Sequence, residues 1–148
     1  MRISVKGRYA LASVISIAEY YNNGEYITII SISDKLGISK IYLEQVFSLL
    51  KRGGIVKSIK GSQGGYQLAR MPQQITALDV LSAVELSLFE STANTVDKRA
   101  PDIEKAMQLS IFEKLNQAVT NMLSQVTLAD MLIEVENQQK DHEMMFYI

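Results

Sequence analysis

Between Ser39 and Arg52, Lys40, Ile41, Glu44, Gln45, Ser48, Lys51 and Arg52 share one side of a helical pattern. Leu43, Val46, Phe47 and Leu50 stand on the other side at i, i+3, i+4 and i+7. Long donors and acceptors on the first turns, with cations near the end, are what a helix needs to read base edges and hold phosphates. Gly53-Gly54 ends the pattern, Ile55–Ile59 alternates as a strand, and Lys60-Gly61-Ser62-Gln63-Gly64-Gly65 is a turn. Tyr66-Gln67-Leu68 returns as a second strand. Lys60 at the tip of such a hairpin can enter a narrow minor groove, where negative potential is enhanced. A lone amphipathic helix would read as ordinary protein surface, and the hairpin that follows argues against that. A phosphate-cradling loop is a weaker reading, because GSQGG lacks the Walker spacing and opens no helix.

These residues need elements to position them. Ser31 or Ser33 is expected to cap a short helix, ISDKLG, and Gly37 turns the chain into the helix capped by Ser39. Two helices joined by a short glycine-containing turn form a helix-turn-helix, and the hairpin makes it a winged one. Before it, Ile3 to about Tyr21 has a helical period with a wide apolar face, Ala10, Leu11, Val14, Ile15, Ile17, Ala18 and Tyr21, and Asn22-Asn23-Gly24 ends it. Arg2, Ser4, Lys6 and Arg8 lie at its start. Glu25–Ile30 is a strand or an extended connection.

After Met71-Pro72, Thr76 caps a short helix, Ala77 to about Val84, with Leu78, Leu81 and Val84 turned inward. Glu85–Ala100 has no period and reads as a loop. Pro101 opens a helix expected to run to about Val126, about 39 Å at roughly 1.5 Å per residue. Its apolar residues spread over two faces, which implies a second copy of the chain packed through Met107, Ile111, Leu115 and Met122. Thr127 caps a last helix to about Glu136, followed by polar Asn137–Glu143 and an apolar ending, Met144–Ile148, expected to dock. The fold expected is therefore mainly α. A winged helix-turn-helix DNA-binding domain with a two-stranded wing covers residues 1–75, and an effector and dimerisation region covers residues 76–148.

Charge supports this division. Through Ile75 there are 10 Lys and Arg against 4 Asp and Glu, and the acidic residues dominate from Thr76 onward. The basic half suits a polyanion and the acidic half should lie away from it. MRISVKGR before YALASVISIA imitates a signal segment, but Ser13, Ser16 and Glu19 make it a core helix, and a cytoplasmic location is expected. No run approaches the roughly 18 apolar residues of a membrane span. There is no cysteine, which excludes disulfides, thiolate zinc and cysteine-held iron–sulfur clusters. His142 stands alone in a polar stretch and does not make a metal site.

MRISVKGRYAL, ISKIYLEQVFSLLKRGGIVKSIKGSQGGYQLA and the helix–loop–long-helix remainder resemble the Rrf-two type winged-helix regulators, the family of IscR, NsrR and CymR. The resemblance implies a homodimeric repressor of pseudo-palindromic operators and no enzyme. It implies DNA contacts from Ser39, Lys40, Tyr42, Glu44 and Gln45, from Lys60 and Gly61 at the wing, and from the basic start at Arg2, Ser4, Lys6 and Arg8. Ile41 falls where members differ, which leaves the operator class open. Cluster-binding members carry three cysteines before the long helix, and ELSLFESTANTVDKRAP has none. No cofactor is therefore expected, and the cluster-free cysteine-metabolism branch is the nearest likeness. That branch implies a complex with cysteine synthase through Tyr147 and Ile148, and the alternative for the same ending is packing on its own dimer. The alternatives are a redox or small-molecule-responsive repressor of another pathway, or an interaction module that does not bind DNA.

Overall fold

The structure is a computed structural model that describes residues 3–61, 64–85, 87–88, 90 and 93–146. Arg2, Ser62, Tyr147 and Ile148 lie outside the described residues.

Helix α1 spans Val5–Ala18, with the Ser4 hydroxyl accepting the Gly7 N–H. A single 3-10 turn, Tyr21–Asn23, follows and closes on left-handed Gly24. The next stretch is an extended connection with one sheet-like contact, in which Ile27 and Tyr66 exchange backbone hydrogen bonds. Helix α2 then spans Ile29–Leu36. Its cap is Thr28, which accepts the Ser31 N–H, and not Ser31 or Ser33. The Ser33 hydroxyl is used instead to donate to the Ile38 carbonyl at 2.6 Å, bracing the turn into the next helix. Gly37, at φ 69°, makes that turn in a conformation that a β-carbon would oppose.

Helix α3 spans Lys40–Arg52 and is capped by Ser39. Strands β1, Val56–Ile59, and β2, Gly65–Leu68, form the antiparallel wing with Val56 opposite Leu68 and Ile59 opposite Gly65. Helix α4 spans Ala77–Val84. Its inward residues are Ala77, Val80, Leu81 and Val84, while Leu78 is only half-buried. The capping box of Thr76 and Asp79 fixes that phase.

Residues 93–100 hold no helix or strand and are gathered by Glu104. Its buried carboxylate accepts the Val96 N–H at 3.0 Å and the Thr95 hydroxyl at 3.1 Å. The long helix is continuous but not uniformly α. Helix α5, Pro101–Met107, passes through a π-turn at Gln108–Phe112 into helix α6, Glu113–Gln125. The Glu113 N–H reaches back five residues to the Gln108 carbonyl. Apolar residues on both faces hid this change of phase from the sequence pattern.

Helix α7 spans Leu128–Phe146, ten residues beyond the expected end. Asn137–Glu143 lacks Gly and Pro and is rich in helix formers, and Gln138 donates to Glu134 one turn back. Met144, Met145 and Phe146 are 62, 77 and 78% exposed, so they do not dock on their own chain. Thr127 and Asp130 repeat the capping box of α4. The two helix starts are clipped together by Ala77 N–H to Val126 and Leu128 N–H to Ile75.

One core joins Ala10, Val14, Ile17, Ile32, the buried side of α3, Ile55, Leu68, Ile75, Val80, Val84 and Leu128. The expected boundary at residue 75 thus falls inside a shared core. Among the described residues no helix is long and apolar enough to cross a membrane.

The Val96 N–H holds the Glu104 carboxyl below its ordinary range, helped by Thr95 and opposed by burial. A depressed carboxylate stabilises the fold at neutral pH, and the gain disappears as pH falls through the lowered value. Glu104→Gln should therefore unfold at a lower temperature than wild type at pH 7, with the gap narrowing as the pH is taken down past the carboxylate range. A gap independent of pH in thermal unfolding would rule this out.

Candidate DNA-binding surface

Leu43, Val46, Phe47 and Leu50 are fully buried, which fixes the rotation of α3 about its axis. Lys40, Ile41, Glu44, Gln45, Ser48, Lys51 and Arg52 are left exposed on the other side. Ile41 is 73% exposed at the first turn, an apolar contact available to a thymine methyl. Lys60 and Gly61 are exposed at the wing. Phe47 anchors the wing to α3 through the Tyr66 ring, 4.7 Å between centroids.

Not all of the expected contacts point outward. The Tyr42 ring is half-buried and packs edge-on against Tyr9 of α1 at 5.3 Å. It holds two helices together and leaves its backbone N–H to the cap of α3. Ser39 is exposed, but its hydroxyl is occupied by that same cap. At the start of α1, Arg8 is exposed and Lys6 half-buried. Among the described residues the ion pairs are Lys35–Glu19 and Arg70–Asp79, and neither involves Lys6, Arg8, Lys40, Lys51, Arg52 or Lys60. Cations that make no ion pair among the described residues, on and beside a polar helix face, fit a phosphate-binding surface.

The acidic half does not keep wholly away from this face. Glu85, at the end of α4, is 7% exposed and accepts the Ser4 N–H at 2.8 Å and the Ser4 hydroxyl. Its charge is tolerated because two donors at a helix N-terminus satisfy it. No local pattern announces a contact between residues 81 positions apart. The one sequence trace is Gly7, where a β-carbon would lie 2.6 Å from Glu85 Oε1.

The long helix turns one side to the body and leaves the other uncovered. α6 packs against α4, and Phe112, Val119 and Leu123 of the long helix are half-buried. Of the residues expected to pair two copies, Ile111, Leu115 and Met122 are 51–59% exposed and Met107 is half-buried. Ile103 and Leu109 extend the exposed apolar surface.

The Rrf2 family model, described as an iron-dependent transcriptional regulator, matches residues 3–134. The chain is 31% identical to the HTH-type transcriptional regulator IscR of Klebsiella pneumoniae (strain 342), over 97% of this chain and 90% of that one. Among solved structures, IscR of T. potens superimposes with a TM-score of 0.73 at 33% identity, covering 94% of this chain and 91% of that one. CymR, the global cysteine regulator of B. subtilis, does so with a TM-score of 0.74 at 32% identity, covering 90% and 98%. These relatives are transcriptional regulators and not enzymes. The chain is a member of the Rrf2 family of winged-helix, DNA-binding transcriptional regulators.

Proposed function

We propose that the protein is a homodimeric repressor that reads a pseudo-palindromic operator with α3 and the wing of each subunit. The observation that carries this is the exposed face of α3, with Lys40, Ile41, Glu44, Gln45 and Ser48 aligned over a fully buried stripe. Glu44 can accept from a cytosine amine and Gln45 can pair with adenine or a phosphate. Lys51, Lys60, Lys6 and Arg8 neutralise the backbone, with Ser4 and Gly61 beside them. The exposed apolar side of α5 and α6 supports pairing of two long helices, which would set two α3 helices about one turn of DNA apart.

The iron dependence in the family's description does not carry over to this chain, which has no cysteine to hold a cluster. We place it instead with the cluster-free regulators. The likeness to B. subtilis CymR favours control of cysteine metabolism, with cysteine synthase as the partner. The comparable likeness to IscR supports the alternative, a repressor of another pathway with a different signal. Titration of cysteine synthase with the full chain tests the partnership, and mapping bound DNA across the genome tests the pathway.

In a gel-shift series, operator affinity should fall steeply with salt as counterions are released. Glu44→Ala should relax base choice at one half-site position, by about 1–3 kcal/mol of discrimination, more than it lowers overall affinity. A uniform loss across operator variants would remove Glu44 from base reading. Lys60→Ala should weaken binding and relax preference at the minor-groove position.

Ile111→Asp or Leu115→Asp should split the dimer, because a buried unpaired carboxylate is costly. A variant that still sediments as a dimer would move the interface off this face.

A further inference from the structure

Glu85 occupies an unexpected place for an acid in a protein that binds a polyanion. It ends α4 and begins the segment leading to α5, yet it is nearly buried against the start of α1. Its Oε1 accepts both the N–H and the hydroxyl of Ser4. The Ser4 oxygen in turn accepts the Gly7 N–H and so caps α1. Gly7 gives the carboxylate room, since a β-carbon there would also meet the Ile3 side chain at 2.8 Å. Lys6 and Arg8 project from the turn that this contact anchors. Tyr9, one residue on, packs against Tyr42 of α3. A cleft of about 660 Å³ brings Ser4, Lys6, Tyr42, Gln45, Glu85 and Glu90 around the same point. The acid therefore stands where the basic start of the chain, the base-reading helix and the segment after α4 meet.

We propose that Glu85 is a positioning residue for DNA binding. By holding Ser4 and the first turn of α1, it sets where Lys6 and Arg8 meet the phosphate backbone relative to α3. The proposal rests on the reading of α3, the wing and the start of α1 as the DNA face. Its consequence has a distinctive sign. A bystander carboxylate beside DNA repels phosphate, and its removal would leave binding unchanged or make it tighter. A positioning carboxylate does the opposite: its removal weakens binding although the charge becomes more favourable. Gln keeps an acceptor oxygen at the same reach, so the geometry depends on the acceptor and the charge is secondary.

The test measures binding of the full chain to a duplex carrying the DNA upstream of its own gene, across a salt series. At the lowest salt of the series E85A should bind more weakly than wild type by about 10-fold or more, and its salt dependence should be shallower by about 2–4 in log–log slope, as Lys6 and Arg8 of two subunits lose their phosphates, so that the gap narrows as salt rises. E85Q should keep most of the affinity and the slope. The K6A/R8A variant should show the same shallow slope, and adding E85A to it should weaken binding little further. A mere loss of folded protein lowers apparent affinity without flattening the slope, so the slope separates positioning from stability. If E85A does not fold, E85D, one methylene shorter, takes its place with the same expectation. Wild-type affinity and slope in the Ala or Asp variant, or a loss that adds in full to that of K6A/R8A, overturns the role of Glu85 alone. Failure of wild type to bind any duplex at low salt overturns the DNA face and this proposal together.

Discussion

The rotation of α3 about its own axis is the constraint on which the rest depends. Successive residues of a helix are about 100° apart, so a slip of one position would bury Glu44 and expose Val46. Four fully buried side chains on one stripe prevent that slip. The same stripe organises its neighbours. Phe47 supports the wing through Tyr66, and Tyr66 pairs with Ile27 in the connection that leads to α2. Tyr42 leans on Tyr9 and fixes α1 alongside. The three surfaces of the proposed DNA face, on α1, α3 and the wing, are thus outputs of one core, and none can be reoriented without disturbing it.

A second arrangement follows from what that core leaves uncovered. α4 and α6 pack together, and the backbone bonds from Ala77 N–H to Val126 and from Leu128 N–H to Ile75 clip the starts of α4 and α7, each of which carries its own Thr–Asp capping box. This holds the long helix to the reading head through short backbone hydrogen bonds instead of a flexible linker. In the proposed dimer, an apolar face on a lever so rigidly attached would convert any change in how the two copies pair into a change in the separation of their α3 helices. Glu104 does a related job for residues 93–100, drawing them onto the first turn of α5.

The reading head was legible in the sequence because its signals are local. The i, i+3, i+4, i+7 stripe, Ser39 as cap, Gly37 in the turn and the alternation after Gly54 each act within a few residues, and the structure bears them out. Thr76 and Thr127 were recognisable for the same reason. The cap of α2 was misplaced because Thr28, Ser31 and Ser33 are all competent, and tertiary context assigned the Ser33 hydroxyl to the Ile38 carbonyl. The extent of α7 does not show in the apolar pattern because Asn137–Glu143 carries no apolar residue to mark a helical period, although Gln, Lys and Glu are good helix formers. Glu85 was invisible because its partner is remote in sequence and enters through a backbone N–H that any residue would offer.

The π-turn at Gln108–Phe112 is where the long helix holds one residue more than a regular α-helix would need. The wider turn absorbs the extra residue, so the segments on either side keep the facing that an unbroken α-helix one residue shorter would give them. Deleting one residue there would let the turn close as ordinary α-helix and leave Leu115 and Met122 on the exposed side. The same deletion inside α6 would turn everything beyond it by about 100°. The five-residue irregularity is therefore the one stretch of the long helix, among the described residues, with slack for a change of length.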